Sequence, residues 1–168
     1  WNGLTWSAFN TSAIPNDKLY SVTCVLNNPN DCWAVGDNAI FARYQGVSWA
    51  NSTPNANVPT NKKINDLSCP ASNNCWGVGD AEGGDPLIVH WNGTQWSRDT
   101  TLPSSLPAQN LNSIVCNSAT DCWAVGQQSS FFHYNGSAWA EGATAANPVS
   151  ARIPSTITFN AVTCVLEN

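Results

Sequence analysis

The chain has 168 residues, a formal net charge of −5 and only 10% charged residues, so its polarity rests on Asn, Ser and Thr. With six Lys and Arg against eleven Asp and Glu, it offers no basic patch to nucleic acid or to an anionic membrane surface. No apolar run approaches the ~20 residues that a membrane-spanning helix needs.

In chain order, the sequence opens on Trp1-Asn2-Gly3-Leu4-Thr5-Trp6 and a polar stretch to Lys18. Leu19–Cys24 has the composition of a strand, Val25–Asp31 is a loop of turn residues, and Cys32-Trp33-Ala34-Val35-Gly36 is a second strand. Side chains alternate along a strand, so Trp33 and Val35 share one face while Cys32, Ala34 and Gly36 share the other. One face is bulky and the other nearly flat. The bulky side of one such sheet fits the flat side of the next. Ile40–Tyr44 is a third strand, and a two-residue turn at Gln45-Gly46 leads to a fourth at Val47–Ala50.

This pattern recurs. Cys75-Trp76-Gly77-Val78-Gly79 and Cys122-Trp123-Ala124-Val125-Gly126 repeat the second strand, and Trp91-Asn92-Gly93-Thr94-Gln95-Trp96 and Tyr134-Asn135-Gly136-Ser137-Ala138-Trp139 repeat the hairpin. A period of roughly 43–47 residues marks propellers, solenoids or other arrays. The chain divides into units 19–63, 64–110 and 111–158, flanked by partial units 1–18 and 159–168. Asn-Gly read as a two-residue turn needs positive φ at both positions. It pairs Trp91 with Thr94 and Val89 with Trp96, leaving Trp91 and Trp96 diagonal on one face. Their periodicity makes them core rather than a sugar-stacking platform. In the first strands the apolar residues stand three apart (Leu19 and Val22, Ile64 and Leu67, Leu111 and Ile114, Phe159 and Val162). A flat strand would put these on opposite faces, so a bulge or a late strand start is expected.

Four short antiparallel strands per unit predict an all-β chain of β-propeller-type blades, about three complete, with partial edge blades. C-W-A-V-G followed by W-N-G-x-x-W resembles bacterial secreted propellers. It is similar to the Asp-box repeats of the sialidase-like group and to photosystem-assembly-factor-like propellers, over essentially the whole chain. At the Ser-x-Asp positions of that box this chain has Trp91 or Tyr44 and Asn92 or Gln45.

Six cysteines form three close pairs: Cys24 with Cys32, Cys69 with Cys75, and Cys116 with Cys122. Zinc sites usually leave two to four residues between paired cysteines; these gaps are longer and vary. Disulfides are the expected reading, since antiparallel cross-strand neighbours lie within bonding range. They predict an oxidising location: secreted, extracellular, periplasmic or at the cell surface. Cys164 stands where Cys24, Cys69 and Cys116 stand, and its partner is expected six to eight residues later, past Asn168. It reads as unpaired or intermolecular, and the sequence as a segment of a longer chain or a subunit completed by neighbours.

His90 and His133 share a repeat position that Arg43 fills in the first unit, which marks a structural slot. Asp80, Glu82 and Asp85 cluster in the turn Gly79–Pro86. Calcium takes such oxygens, but a solvated acidic turn is the plainer reading. Arg43, Arg98 and Arg152 occupy unlike repeat positions and form no arginine cluster. No catalytic, cofactor or metal residue is assigned. Asn10, Asn51, Asn92 and Asn135 head glycosylation sequons, in a number that composition alone explains, placed in turns and loops that permit glycans. The disulfide loops and Asn-Gly turns are expected on one rim, the inter-unit segments on the other.

The expected function is that of a non-enzymatic extracellular structural or adhesive protein. It would belong to a surface filament or appendage and associate with itself or with neighbouring repeats. The alternative is a secreted, lectin-like propeller that binds glycans. A glycoside hydrolase is the remote alternative and needs two carboxylates ~5–9 Å apart in a cleft.

Overall fold

The computed structural model describes residues 13–102, 109–142, 154 and 156–164. Apart from two 3-10 turns at Asp37–Ala39 and Gln127–Ser129, its regular structure is all β. The first sheet is β1 (Leu19–Val25), β2 (Asn28–Gly36), β3 (Phe41–Tyr44) and β4 (Trp49–Asn51). The second is β5 (Ile64–Ala71), β6 (Asn74–Glu82), β7 (Asp85–Trp91) and β8 (Trp96–Arg98). The third is β9 (Leu111–Ser118), β10 (Asp121–Gly126), β11 (Phe131–Tyr134) and β12 (Trp139–Glu141). Each sheet is an antiparallel meander in chain order. The first strands of successive sheets, β1 with β5 and β5 with β9, are neighbours along one edge of the stack.

Of the two readings the spacing left, a bulge or a late strand start, β1, β5 and β9 carry a bulge. The ladder skips one residue, Tyr20, Asn65 or Asn112, opposite the last two residues of the C-W-x-V-G strand. That skip brings Leu19 opposite Gly36 and Val22 opposite Ala34, so the two apolar residues share the flat face. The bulge side chains also tie sheets together. Asn65 Nδ2 donates to Leu111 O at 2.9 Å, and Asn112 Nδ2 donates to Phe159 O at 2.8 Å.

The glycine closing each C-W-x-V-G strand permits a close backbone approach. A Cβ would lie 1.8 Å from Lys18 O at Gly36, 2.0 Å from Lys63 O at Gly79 and 2.1 Å from Asn110 O at Gly126. There the inter-unit segment enters the next first strand.

The core lies between sheets, bulky face on flat face. In the first interface Trp33, Val35 and Phe41 pack against Ile64, Leu67, Val89, Trp91 and Trp96. In the second, Trp76, Val78 and Ile88 pack against Leu111, Ile114, Ala124, Phe132 and Trp139.

The outer hairpin departs from the sequence reading. Trp91 pairs directly with Trp96, and Val89 with Arg98, so the loop has four residues rather than two. Of the Asn-Gly pair only Gly93 takes positive φ, at 96°. The Asn92 side chain closes the turn instead: its Oδ1 accepts from Thr94 N and Gln95 N, both at 3.0 Å, and from Thr94 Oγ1 at 2.8 Å. Asn135 Oδ1 does the same for Ser137 N and Ala138 N. This side-chain turn outcompetes the tight turn. The fourth strand accordingly starts later, at Trp49 rather than Val47, while the third ends at Tyr44 as expected and starts one residue late, at Phe41. On the same rim the first two strands run further into the disulfide loop, with Val25 opposite Asn28.

Candidate functional site

The cysteine pairs are bonded: Cys24–Cys32, Cys69–Cys75 and Cys116–Cys122, with S–S distances of 2.01, 2.08 and 2.09 Å. Each clamps the first strand of a sheet to the second at the same end. Beside each bond the first-to-second strand turn meets the outer hairpin loop: Asn73 lies against Gly93 and Thr120 against Gly136. The opposite rim gathers the inter-unit segments, whose carbonyls at Lys18, Lys63 and Asn110 accept from Asp37 N, Asp80 N and Gln127 N. Cys164 is a free, half-buried thiol. The three disulfides fit an oxidising, extracellular or lumenal environment. No helix among the described residues is long and apolar enough to cross a membrane.

The Arg/His slot is a recurrent clamp over the tryptophan of the second strand. Arg43 donates from Nε and NH2 to the two oxygens of Asp31, both at 2.8 Å. Its guanidinium carbon lies 5.0 Å from the Trp33 ring centroid and 5.3 Å from that of Trp91. His90 stacks on Trp76 at 4.1 Å and donates from Nε2 to Asn74 Oδ1 at 2.9 Å. His133 stacks on Trp123 at 4.0 Å with Nε2 2.8 Å from Asp121 Oδ1. The hydrogen bonds from Arg43 hold the Asp31 carboxyl below its ordinary value, and burial pushes His90 down. The hydrogen bond from Asn117, then that from His133, lowers Asp121. Each slot side chain thus makes a polar contact to a residue of its own second strand.

The acidic turn is likewise dispersed. Glu82 pairs with Lys62 at 2.9 Å, Asp85 faces Arg98 at 3.8 Å, and Asp80 accepts from Asn65 Nδ2 at 3.3 Å. Among the described residues no three His, Cys, Asp or Glu side chains gather as a metal would require.

One carboxylate escaped the sequence reading. Asp66 Oδ1 accepts from Ser21 Oγ at 2.8 Å, and its Oδ2 accepts from Ser113 Oγ at 2.9 Å and Ile114 N at 3.0 Å. It thereby joins the first strands of all three sheets. The available signal was that Ser21, Asp66 and Ser113 follow the bulge at one repeat position.

Trp91 and Trp96 are 5% and 0% exposed, which removes them as a sugar platform. Trp1 and Trp6, and the sequon at Asn10, lie outside the described residues. Asn51, Asn92 and Asn135 are exposed.

The open feature is the flat face of the first sheet. Leu19 is 44% exposed where its counterparts Ile64 and Leu111 are 0%. Val22 is 65% exposed where Leu67 and Ile114 are 5% and 4%. Trp49 is half-buried, whereas Trp96 and Trp139 are 0% and 1% exposed. Leu19, Val22 and Trp49, with Tyr20, Ser21, Ala34 and Ile14 of the preceding segment, line a cavity of about 360 Å³. On the far side of the stack Trp123 is half-buried, where Trp33 and Trp76 are 0% and 2% exposed.

No protein-family model matches the sequence, and no curated protein matches it. Among solved structures the chain is similar to YCF48 bound to a D1 peptide, with 18% identity and a TM-score of 0.60 over 82% of this chain and 44% of that one. It is similar also to YCF48 from Cyanidioschyzon merolae, with 17% identity and a TM-score of 0.60 over 84% of this chain and 45% of that one. The chain thus spans less than half the length of either neighbour. Three four-stranded antiparallel sheets with these neighbours make the fold β-propeller-type.

Proposed function

We propose that the chain is a non-enzymatic, exported binding module that holds a protein partner through the open flat face of its first sheet, in a structural or adhesive role. The observation that carries this reading is that face: Leu19, Tyr20 and Val22 are 44%, 45% and 65% exposed around an uncharged cavity. Contiguous exposed apolar surface rimmed by polar residues is how interaction sites present themselves. The titratable side chains of the Arg/His slot and of the acidic turn are held in structural pairs, which supports binding over catalysis. The neighbour solved with a D1 peptide gives a precedent for a propeller that binds protein. Disulfides at every unit support work outside the reducing cytosol, and the exposed Asn51, Asn92 and Asn135 are acceptors for glycans in that setting.

The test is binding of the labelled chain to the outer surface of intact cells of the source organism. Saturable binding is expected, with at least tenfold loss in Val22→Lys at unchanged circular dichroism. Binding that is unsaturable, or indifferent to the lysine, contradicts the reading.

A further inference from the structure

The disulfide rim carries two Asn-Gly turns whose side-chain amides are held by one atom only. Asn92 and Asn135 are exposed. Asn92 Oδ1 accepts from Thr94 N and Gln95 N, both at 3.0 Å, and from Thr94 Oγ1 at 2.8 Å. Asn135 Oδ1 accepts from Ser137 N at 3.0 Å and from Ala138 N at 3.2 Å. Neither Nδ2 has a partner among the described residues. Donors gathered on one oxygen stabilise negative charge that develops there. The next residue is Gly93 or Gly136. Its amide nitrogen makes no hydrogen bond among the described residues, and it has no Cβ to hinder approach to the asparagine Cγ. Attack between adjacent residues needs no encounter, which removes much of its entropic cost. In the first unit the turn is Gln45-Gly46, where the longer side chain would have to close a ring one atom larger.

We propose that Asn92 is a site of intramolecular deamidation, with Asn135, whose Oδ1 has one donor fewer, a slower second site. Gly93 N attacks Asn92 Cγ, and Oδ1 takes up the charge among its three donors. The N–Cγ bond forms, the Cγ–Nδ2 bond breaks, and Nδ2 leaves as ammonia with the proton that Gly93 gives up to solvent. Water then opens the cyclic imide. Opening at Cγ leaves an aspartate in the ordinary linkage, and opening at the main-chain carbonyl leaves an isoaspartate. Water is the sole co-reactant, and nothing is oxidised or reduced. The aspartate accepts the same three donors with a full charge, which strengthens them, and the departing amide held no bond. The turns of this rim, residues 26–27, 45–48, 72–73, 92–95, 119–120 and 135–138, contain no Asp, Glu, Lys or Arg. Each conversion therefore places an anion on an uncharged rim, slowly and without reversal, and changes which partners that rim admits by charge. The inference stands apart from the binding role proposed above, which uses the flat face of the first sheet.

The test uses the full chain, produced in a host that adds no glycans and held folded in mildly alkaline buffer. Peptide mass spectrometry follows conversion at each site, beside a reduced and denatured sample in the same buffer. In the folded chain Asn92 is expected to convert faster than Asn135, and at least as fast as in the denatured chain, with Gln45 unchanged. Thr94→Val keeps the side-chain shape and removes one donor. It is expected to slow Asn92 roughly tenfold and to leave Asn135 as it was. Asn92→Asp, which installs the product directly, is expected to keep the circular dichroism and to raise Tm at neutral pH. Slower conversion of Asn92 in the folded chain than in the denatured one would show that the turn shields the amide, and overturns the proposal. Indifference of the Asn92 rate to Thr94→Val, or a lower Tm in Asn92→Asp, overturns it as well.

Discussion

The indole of each C-W-x-V-G strand is the residue on which packing turns. Trp33, Trp76, Trp96 and Trp139 are buried with no hydrogen-bond acceptor at Nε1. Two of these rings meet nearly edge-on in each interface, at 89° for Trp33 with Trp96 and 82° for Trp76 with Trp139. Their contribution is apolar area and ring contact, offset in part by an unpaired donor. Trp76→Ala is therefore expected to cost about 3–5 kcal/mol in chemical denaturation. Trp76→Phe, which keeps a ring and removes the donor, is expected to cost at most about 2 kcal/mol. Equal losses would show that the indole nitrogen is satisfied after all.

The clamps over these indoles set the pH response. Asp31 is held below its ordinary 3.8 by Arg43, so the stability it contributes is present above pH 3.8 and lost as pH falls through the lower folded value. His90 is held below its ordinary 6.5 by burial, so the unfolded chain takes up the proton first. Stability then falls as pH drops below 6.5 and levels once the folded imidazole is also charged. Asp31→Asn should flatten the acid limb of a Tm-against-pH curve and cost about 1–3 kcal/mol at neutral pH. His90→Gln should flatten the limb just below pH 6.5.

At the scale of the element, the strand ends are held by sulfur and by glycine. Each bond closes a short loop, separated by eight residues in the first sheet and six in the others. Loops of that size contribute about 2–3 kcal/mol in the chain-entropy description. Replacing Cys69 and Cys75 together by Ser should lower stability by that amount, read from the denaturation midpoint at unchanged slope. Thiol titration of the native chain should find one reactive group, Cys164. Three or more would mean that the bonds do not form.

The elements also show what could be read beforehand. The alternation of Trp33 and Val35 against Cys32 and Ala34 declared both faces, because a two-residue period has no other reading. The three-residue spacing of Leu19 and Val22 left a bulge or a late strand start open, and the bulge is what forms. The hairpin register did not follow, since Asn92 closes its turn with its side chain, and a backbone rule for Asn-Gly does not see that bond. Asp66 was hidden for a like reason: its partners Ser21 and Ser113 stand 45 and 47 residues away. Only stacking brings the three together. Asp66→Asn, which weakens that junction, should speed amide exchange in all three first strands at once.

At the scale of the molecule, the fold is a stack in which each sheet supplies a knob to one neighbour and a socket to the other. In each interface the indole and valine of one sheet enter the flat face of the next. That order of faces is tested by the solvent accessibility of individual indoles, read from 19F resonances of the chain labelled with 5-fluorotryptophan. Trp33, Trp76, Trp96 and Trp139 should be protected from a soluble paramagnetic probe, with Trp49 and Trp123 clearly broadened. Trp33 and Trp76 broadened as strongly as Trp49 would contradict the account.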